Sequence, residues 1–142
     1  IKVFSKLESH LEQETFKRLF PVILTDGGPE FTARDEMEES IDGTNRTTIF
    51  YCDPYCFWQK GALEKNHEYI RYVLPKGTSF DNLTPEKITL LMNHINNEKR
   101  DSLNGHSPFE LSQLLLDEQL LSATGCKLIA PDDVTLTPEL LK

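Results

Sequence analysis

Cationic charge is the first thing in short supply. Only 15 Lys and Arg residues face 23 Asp and Glu residues over 142 positions, a formal net charge of −8. That balance excludes a chain held on DNA by bulk charge alone. No apolar run approaches the roughly 20 residues of a membrane span. The opening, which begins at Ile1, also lacks the apolar stretch of a signal peptide. No membrane association is expected, and a cytoplasmic setting is. Cysteine is scarce too: Cys52, Cys56 and Cys126 are too few for a disulfide framework, and their odd number suits a reducing compartment. Cys52 and Cys56 are spaced C-x3-C with His67 downstream, but two further ligands at suitable spacing are lacking, so free thiols are expected rather than a structural zinc. Low-complexity tracts and internal repeats are absent, while Leu, Ile, Val and Phe recur throughout, which excludes disorder. What remains is one domain's worth of polypeptide, enough to bury a core.

Hydrophobic periodicity divides the chain. Phe4, Leu7, Leu11, Phe16 and Phe20 recur near helical spacing and predict an amphipathic helix over 4–20, ended by Pro21. Val22-Ile23-Leu24-Thr25 reads as a buried strand stopped by the turn Asp26-Gly27-Gly28-Pro29. Such a strand delivers a side chain to its C-terminal edge, where open α/β sheets place their ligands. The acidic stretch through Asp42 reads as a solvated face with a short helix near 33–41. Residues 47–51 form a second strand closed by Asp53-Pro54. The sequons Asn45-Arg46-Thr47 and Asn82-Leu83-Thr84, with no secretory signal, are read as chance.

An aromatic-rich loop over 54–61 leads into a helix expected over 62–74. Leu63, Ile70, Val73 and Leu74 cover one side of it, and Glu64, His67, Glu68 and Arg71 share the other. Thr84 and Pro85 carry the start signature of a helix running to about Asn97. Ser107 and Glu110 form a capping box for the next. Beyond Gly125 an irregular, mobile tail is expected.

Asp26 and Glu64 are the best candidates for chemistry. A carboxylate at a strand end and another on a helix can converge on a divalent cation, and hard oxygen ligands suit Mg²⁺ or Mn²⁺. Two such ions about 4 Å apart can activate an attacking oxygen and stabilise a leaving one in phosphoryl transfer. The plainer reading is that Asp26 caps a turn and Glu64 is a surface helix residue.

Four ordered segments carry a resemblance. Leu24-Thr25-Asp26-Gly27-Gly28-Pro29-Glu30-Phe31 resembles the TDNGxEF segment of the integrase catalytic core. Tyr51 through Asn66, YCDPYCFWQKGALEKN, resembles that core's aDPysxWQrGtnEnxN segment. Ile70-Arg71 and Leu74-Pro75-Lys76-Gly77-Thr78 continue it. Asn96-Asn97, Arg100, Leu103 and Ser107-Pro108-Phe109-Glu110-Leu111 resemble its terminal signature. Together they resemble a bacterial insertion-sequence transposase of the IS-thirty type, in the retroviral-integrase superfamily.

That resemblance implies an α/β, RNase H-like fold and an Asp, Asp, Glu triad holding two Mg²⁺ or Mn²⁺ ions. Asp26 matches the second Asp and Glu64 the Glu, and their separation of 38 residues fits the family. Arg71 matches the basic position that follows the Glu by two helical turns, a phosphate contact or else an ion-pair partner of Glu68. Trp58, Gln59, Lys60 and Asn66 are further candidate DNA contacts, with core packing the alternative for Trp58.

Two departures stand out. Gly27 replaces the family's asparagine, and no acidic residue precedes Glu8 to serve as the first Asp. The chain is therefore expected to be the C-terminal portion of such a core over 1–115, with the first strands missing, followed by a tail over 116–142. Its parent would be a DNA transposase acting on transposon ends and target. The chain alone would be inactive, or a remnant that self-associates or binds DNA weakly, and a homo-oligomer is expected.

Overall fold

The computed structural model describes residues 1–53, 56, 59 and 61–142, with the side chains of Glu30, Ala62, Leu63 and Glu64 outside that description. The chain divides into two compact units, Ile1–Gln59 and Lys60–Lys142.

In the first unit the helix expected over 4–20 is two helices, α1 (Lys2–Leu11) and α2 (Gln13–Leu19). The break is at Glu12, with φ 62° and ψ 151°. Its cause lies in the spacing. Leu7 and Leu11 share a helical face, but Phe16 is five residues on and falls out of that stripe. One non-helical residue resets the phase, and both Leu11 and Phe16 reach 0% exposure. Phe16 then packs against Phe4 and Phe20, with ring centroids 6.4 and 5.0 Å away.

Strand β1 (Val22–Thr25) follows, then a 3-10 turn at Pro29–Phe31, helix α3 (Arg34–Glu38) and strand β2 (Thr48–Tyr51). The two strands pair in parallel, with Val22 opposite Thr48 and Thr25 opposite Tyr51. Parallel pairing needs a crossover, and α3 lies within it. Glu38 ties that crossover to the sheet by accepting from the Ile49 N–H at 2.7 Å and from Arg34 Nε at 3.0 Å. The Ile49 amide bond, with Arg34 second, holds the Glu38 carboxyl below its ordinary range. Met37 and Ile49 are buried.

Arg46 is buried beside them. Its guanidinium donates to Glu8 Oε2 at 2.9 Å, to the Met37 carbonyl at 2.8 Å and to the Glu36 carbonyl at 3.1 Å. Ser40 Oγ donates to the other Glu8 oxygen. The flanks are the Phe4 and Phe16 rings, 5.8 and 6.0 Å from the guanidinium carbon.

The second unit is helical. Helix α4 spans Gly61–Val73 and α5 spans Pro85–Asn97. Thr84 caps α5, its Oγ1 accepting from the Lys87 N–H, with Pro85 in the first turn. A 3-10 turn at Asp101–Leu103 leads to α6 (Pro108–Leu115), which opens on the expected capping box. Ser107 Oγ accepts from the Glu110 N–H at 3.1 Å, and Glu110 accepts from the Ser107 N–H at 2.8 Å. Helix α7 (Glu118–Ala123) and 3-10 turns at Pro131–Asp133 and Pro138–Leu141 complete the chain.

Val73, Leu74, Leu91, Ile95 and Leu141 form the core of this unit. The segment expected to be a mobile tail thus supplies a core residue. It has little regular structure, yet side chains of α5 hold its backbone.

Candidate metal and nucleic-acid site

Asp26 stands where the sequence places it. Thr25, the last residue of β1, is buried, and Asp26 directly after it is exposed. The strand pairing extends one step further, because the Cys52 N–H donates to the Thr25 carbonyl at 2.7 Å. The C-terminal ends of both parallel strands therefore lie at one edge. This brings Asp53, which sequence reasoning used only as a strand terminator, to the same edge as Asp26. The signal that could have found it is the parallel register itself, which follows from a short crossover helix between two apolar runs.

The loop after Asp26 is tied down. The Phe31 N–H donates to the Gly28 carbonyl at 3.0 Å, and the Tyr51 hydroxyl donates to the Phe31 carbonyl. Gly27, the departure from the family pattern, sits in open space. A Cβ added there meets nothing within 4 Å. No close approach at the Cβ position explains the glycine.

Gln59 has both ends of its amide on Asp53. Its Oε1 accepts from the Asp53 N–H and its Nε2 donates to the Asp53 carboxylate, both at 3.0 Å. Trp58 and Lys60 lie outside the described residues. Glu64 is the fourth residue of α4, and its side chain also lies outside the description. Asn66 is half-buried, and its Oδ1 lacks a hydrogen-bond partner among the described residues. His67, Glu68 and Arg71 are exposed, as the polar face of α4 requires.

Glu68 is engaged by Lys65 Nζ at 2.6 Å and by the Tyr72 hydroxyl at 2.9 Å. The Lys65 bond, with Tyr72 second, holds the Glu68 carboxyl below its usual range. The Glu68 bond in turn raises both Lys65 and Tyr72. With Glu68 so occupied, Arg71 makes no ion pair among the described residues, and its guanidinium faces solvent.

Among the described residues no group of three or more His, Cys, Asp or Glu side chains is arranged to hold a metal ion. Asp26 itself suits a hard divalent cation: it is an exposed oxygen donor at a strand end. Glu8, the first acidic residue, offers no third ligand. Both its oxygens are committed, to Arg46 and to Ser40. Cys52, Cys56 and Cys126 form no disulfide.

Comparison with known proteins decides the relationship. The transposase for insertion sequence element IS4351 of Bacteroides fragilis is 29% identical over 102 residues, covering 72% of this chain and 30% of that protein. The transposase for insertion sequence element IS1086 of Cupriavidus metallidurans is 35% identical over 68 residues, covering 47% of this chain and 20% of that protein. The chain is related to insertion-sequence transposases.

A putative integrase of Spiroplasma virus SpV1-R8A2 B is 30% identical over 118 residues, 75% of this chain and 35% of that protein. The InsI transposase of element IS30A from Escherichia coli K12 is 32% identical over 63 residues, 44% of this chain and 16% of that protein. The chain spans about a third or less of the length of these curated relatives. No family model matches the chain, and no solved structure matches it. No helix among the described residues is long and apolar enough to cross a membrane.

Proposed function

We propose that these residues are part of an RNase H-like catalytic core that cuts transposon ends and joins them to target DNA. The observation that carries the reading is Asp26: an exposed carboxylate at the C-terminal end of a parallel strand, in a chain related to transposases. Asp26 and Glu64 are proposed as two of three carboxylates holding Mg²⁺ or Mn²⁺. When bound, a pair of such ions supplies Lewis-acid polarisation of phosphate and activation of the attacking oxygen.

The chain's own residues supply position. The Thr25–Cys52 backbone bond and the Tyr51–Phe31 bond hold the backbone on either side of Asp26, which lowers the cost of placing its carboxylate when DNA arrives. Arg71 is free of ion pairing among the described residues and is suited to a backbone phosphate. Lys60, Trp58 and Asn66 are proposed as further DNA contacts. Gln59 could join them only by giving up its bonds to Asp53. The parent is proposed to act as a homo-oligomer on DNA.

The test is strand transfer by the full protein that contains these residues. Asp26→Asn and Glu64→Gln should each lower the rate by more than roughly a hundredfold, since disturbing even an outer partner of a metal ligand costs that much. Arg71→Ala should weaken DNA binding and reduce its salt dependence. Full strand transfer by either carboxylate variant would refute the assignment.

A further inference from the structure

Helix α5 turns a polar stripe, Asn93, His94 and Asn97, into the interior, and all three are buried. Asn93 Nδ2 donates to the Gly125 carbonyl at 3.1 Å, and its Oδ1 accepts from the Lys127 N–H at 3.0 Å. Asn97 repeats the pattern two residues along: Nδ2 donates to the Lys127 carbonyl at 2.8 Å and Oδ1 accepts from the Ile129 N–H at 3.1 Å. The match is geometric. Four residues of helix advance about 6 Å, and two residues of extended chain advance about 6.6 Å. Asparagines at i and i+4 can therefore grip alternate residues of an extended segment as a neighbouring strand would, through its backbone alone.

The segment then returns along the helix. The Thr135 N–H donates to His94 Nδ1 at 3.0 Å, and Lys87 Nζ donates to the Leu141 carbonyl at 2.7 Å. Leu141 ends the path in the core with Val73 and Leu74 of the α4 end and Leu91 and Ile95 of α5. Leu136 and Leu140 pack against the same cluster. The segment is thus held to α5 by backbone-directed polar bonds as well as by Leu141, and it meets the α4 end through apolar contact.

We propose that residues 125–141 are a strap that opens and closes as one local unit and, when closed, clamps α4 onto α5. Local units of this kind open below the free energy of global unfolding. The strap suits one because short side-chain bonds, not a sheet or a long helix, hold its backbone. It positions the helix that carries Glu64 and Arg71, and that consequence rests on the function proposed above. The strap itself does not.

Native-state hydrogen exchange on the whole chain tests it. The Lys127, Ile129 and Thr135 amides should share one opening free energy, lower than that of amides within α5 such as Ile95. Asn97→Ala should speed all three together by roughly tenfold or more, the size of losing two net hydrogen bonds. Leu141→Ala, which leaves the asparagines intact, should do the same. Either variant should also speed exchange at Val73 and Leu74 while Ile95 stays protected. Separate opening energies for the three amides in the unaltered chain would overturn the proposal. So would opening only with Ile95, or strap release that leaves Val73 and Leu74 unchanged. Because exchange reads no catalysis, a failure of the metal-site reading leaves this result standing, and the reverse holds too.

Discussion

At the scale of single residues, two buried groups that no local pattern announces govern the chain. Arg46 and Glu8 are 38 positions apart and almost fully buried. Removing one partner of such a pair strands the other charge, which typically costs about 3–5 kcal/mol. Arg46→Ala should therefore lower the urea midpoint of the first unit sharply, read on the Phe16 and Ile49 amides, whereas Arg34→Ala on the exposed side of α3 should cost under about 1 kcal/mol. An equal effect from both would show that the buried pair is no anchor. His94 gives a pH dependence. Burial lowers its pKa, and Asp133 opposes this more weakly. The folded protein thus resists a proton that the unfolded chain accepts near pH 6.5. Stability is fully present above that pH and is lost as pH falls below it. The strap amide at Thr135 should lose protection between pH 7 and 5, and His94→Gln should flatten that slope. Neither group was visible in the sequence, because charge and periodicity patterns report neighbours in the chain, and these partners are distant in it.

At the scale of elements, Glu12 is a non-glycine residue with positive φ, at φ 62° and ψ 151°. That region is open almost only to glycine and costs other residues of order 1–3 kcal/mol. Glu12→Gly should raise stability by about 1 kcal/mol with α1 and α2 unchanged in circular dichroism, and a loss of stability would mean the side chain compensates for the strain. The elements whose signals are local were readable from sequence: Thr84 and Ser107 cap α5 and α6 where their hydroxyls and the following prolines indicated, and Val22–Thr25 is a strand as its apolar run predicted, but not the buried one expected, since only Thr25 is buried while Val22 and Leu24 are exposed. The break at Glu12 was present in the five-residue gap from Leu11 to Phe16, but a window that averages over 4–20 hides a single slip of phase. The strap was not readable, because its order comes from Asn93, Asn97 and Lys87 side chains bonding to its backbone, and backbone groups leave no mark on a hydrophobicity pattern. At the candidate site, Asp26 was readable from its strand and turn, while Asp53 required the parallel register.

At the scale of the whole molecule, the first unit carries a sheet of two strands whose outer face is apolar. Val22, Leu24 and Phe50 are 56, 45 and 53% exposed. Val22 and Leu24 share one face by strand alternation, and Phe50 lies opposite Leu24 in the register. Parallel strands are ordinarily covered on both faces, and open edges invite pairing. Light scattering at micromolar concentration should therefore show mass growing with concentration. Leu24→Ser with Phe50→Ser should shift the chain toward monomer, and a clean monomer before substitution would contradict the expectation of self-association. The proposal that Asp26 and Glu64 serve one metal site has a more direct test. Mn²⁺ titrated into the ¹⁵N-labelled chain broadens amides near the ion. The account predicts that Gly27 and Gly28 broaden together with Lys65 and Asn66 in the first turns of α4, at the same Mn²⁺ concentration, and that Glu64→Gln relieves both sets. Broadening at only one set, or at other acidic positions such as Asp132 and Asp133 while both sets stay sharp, would contradict it.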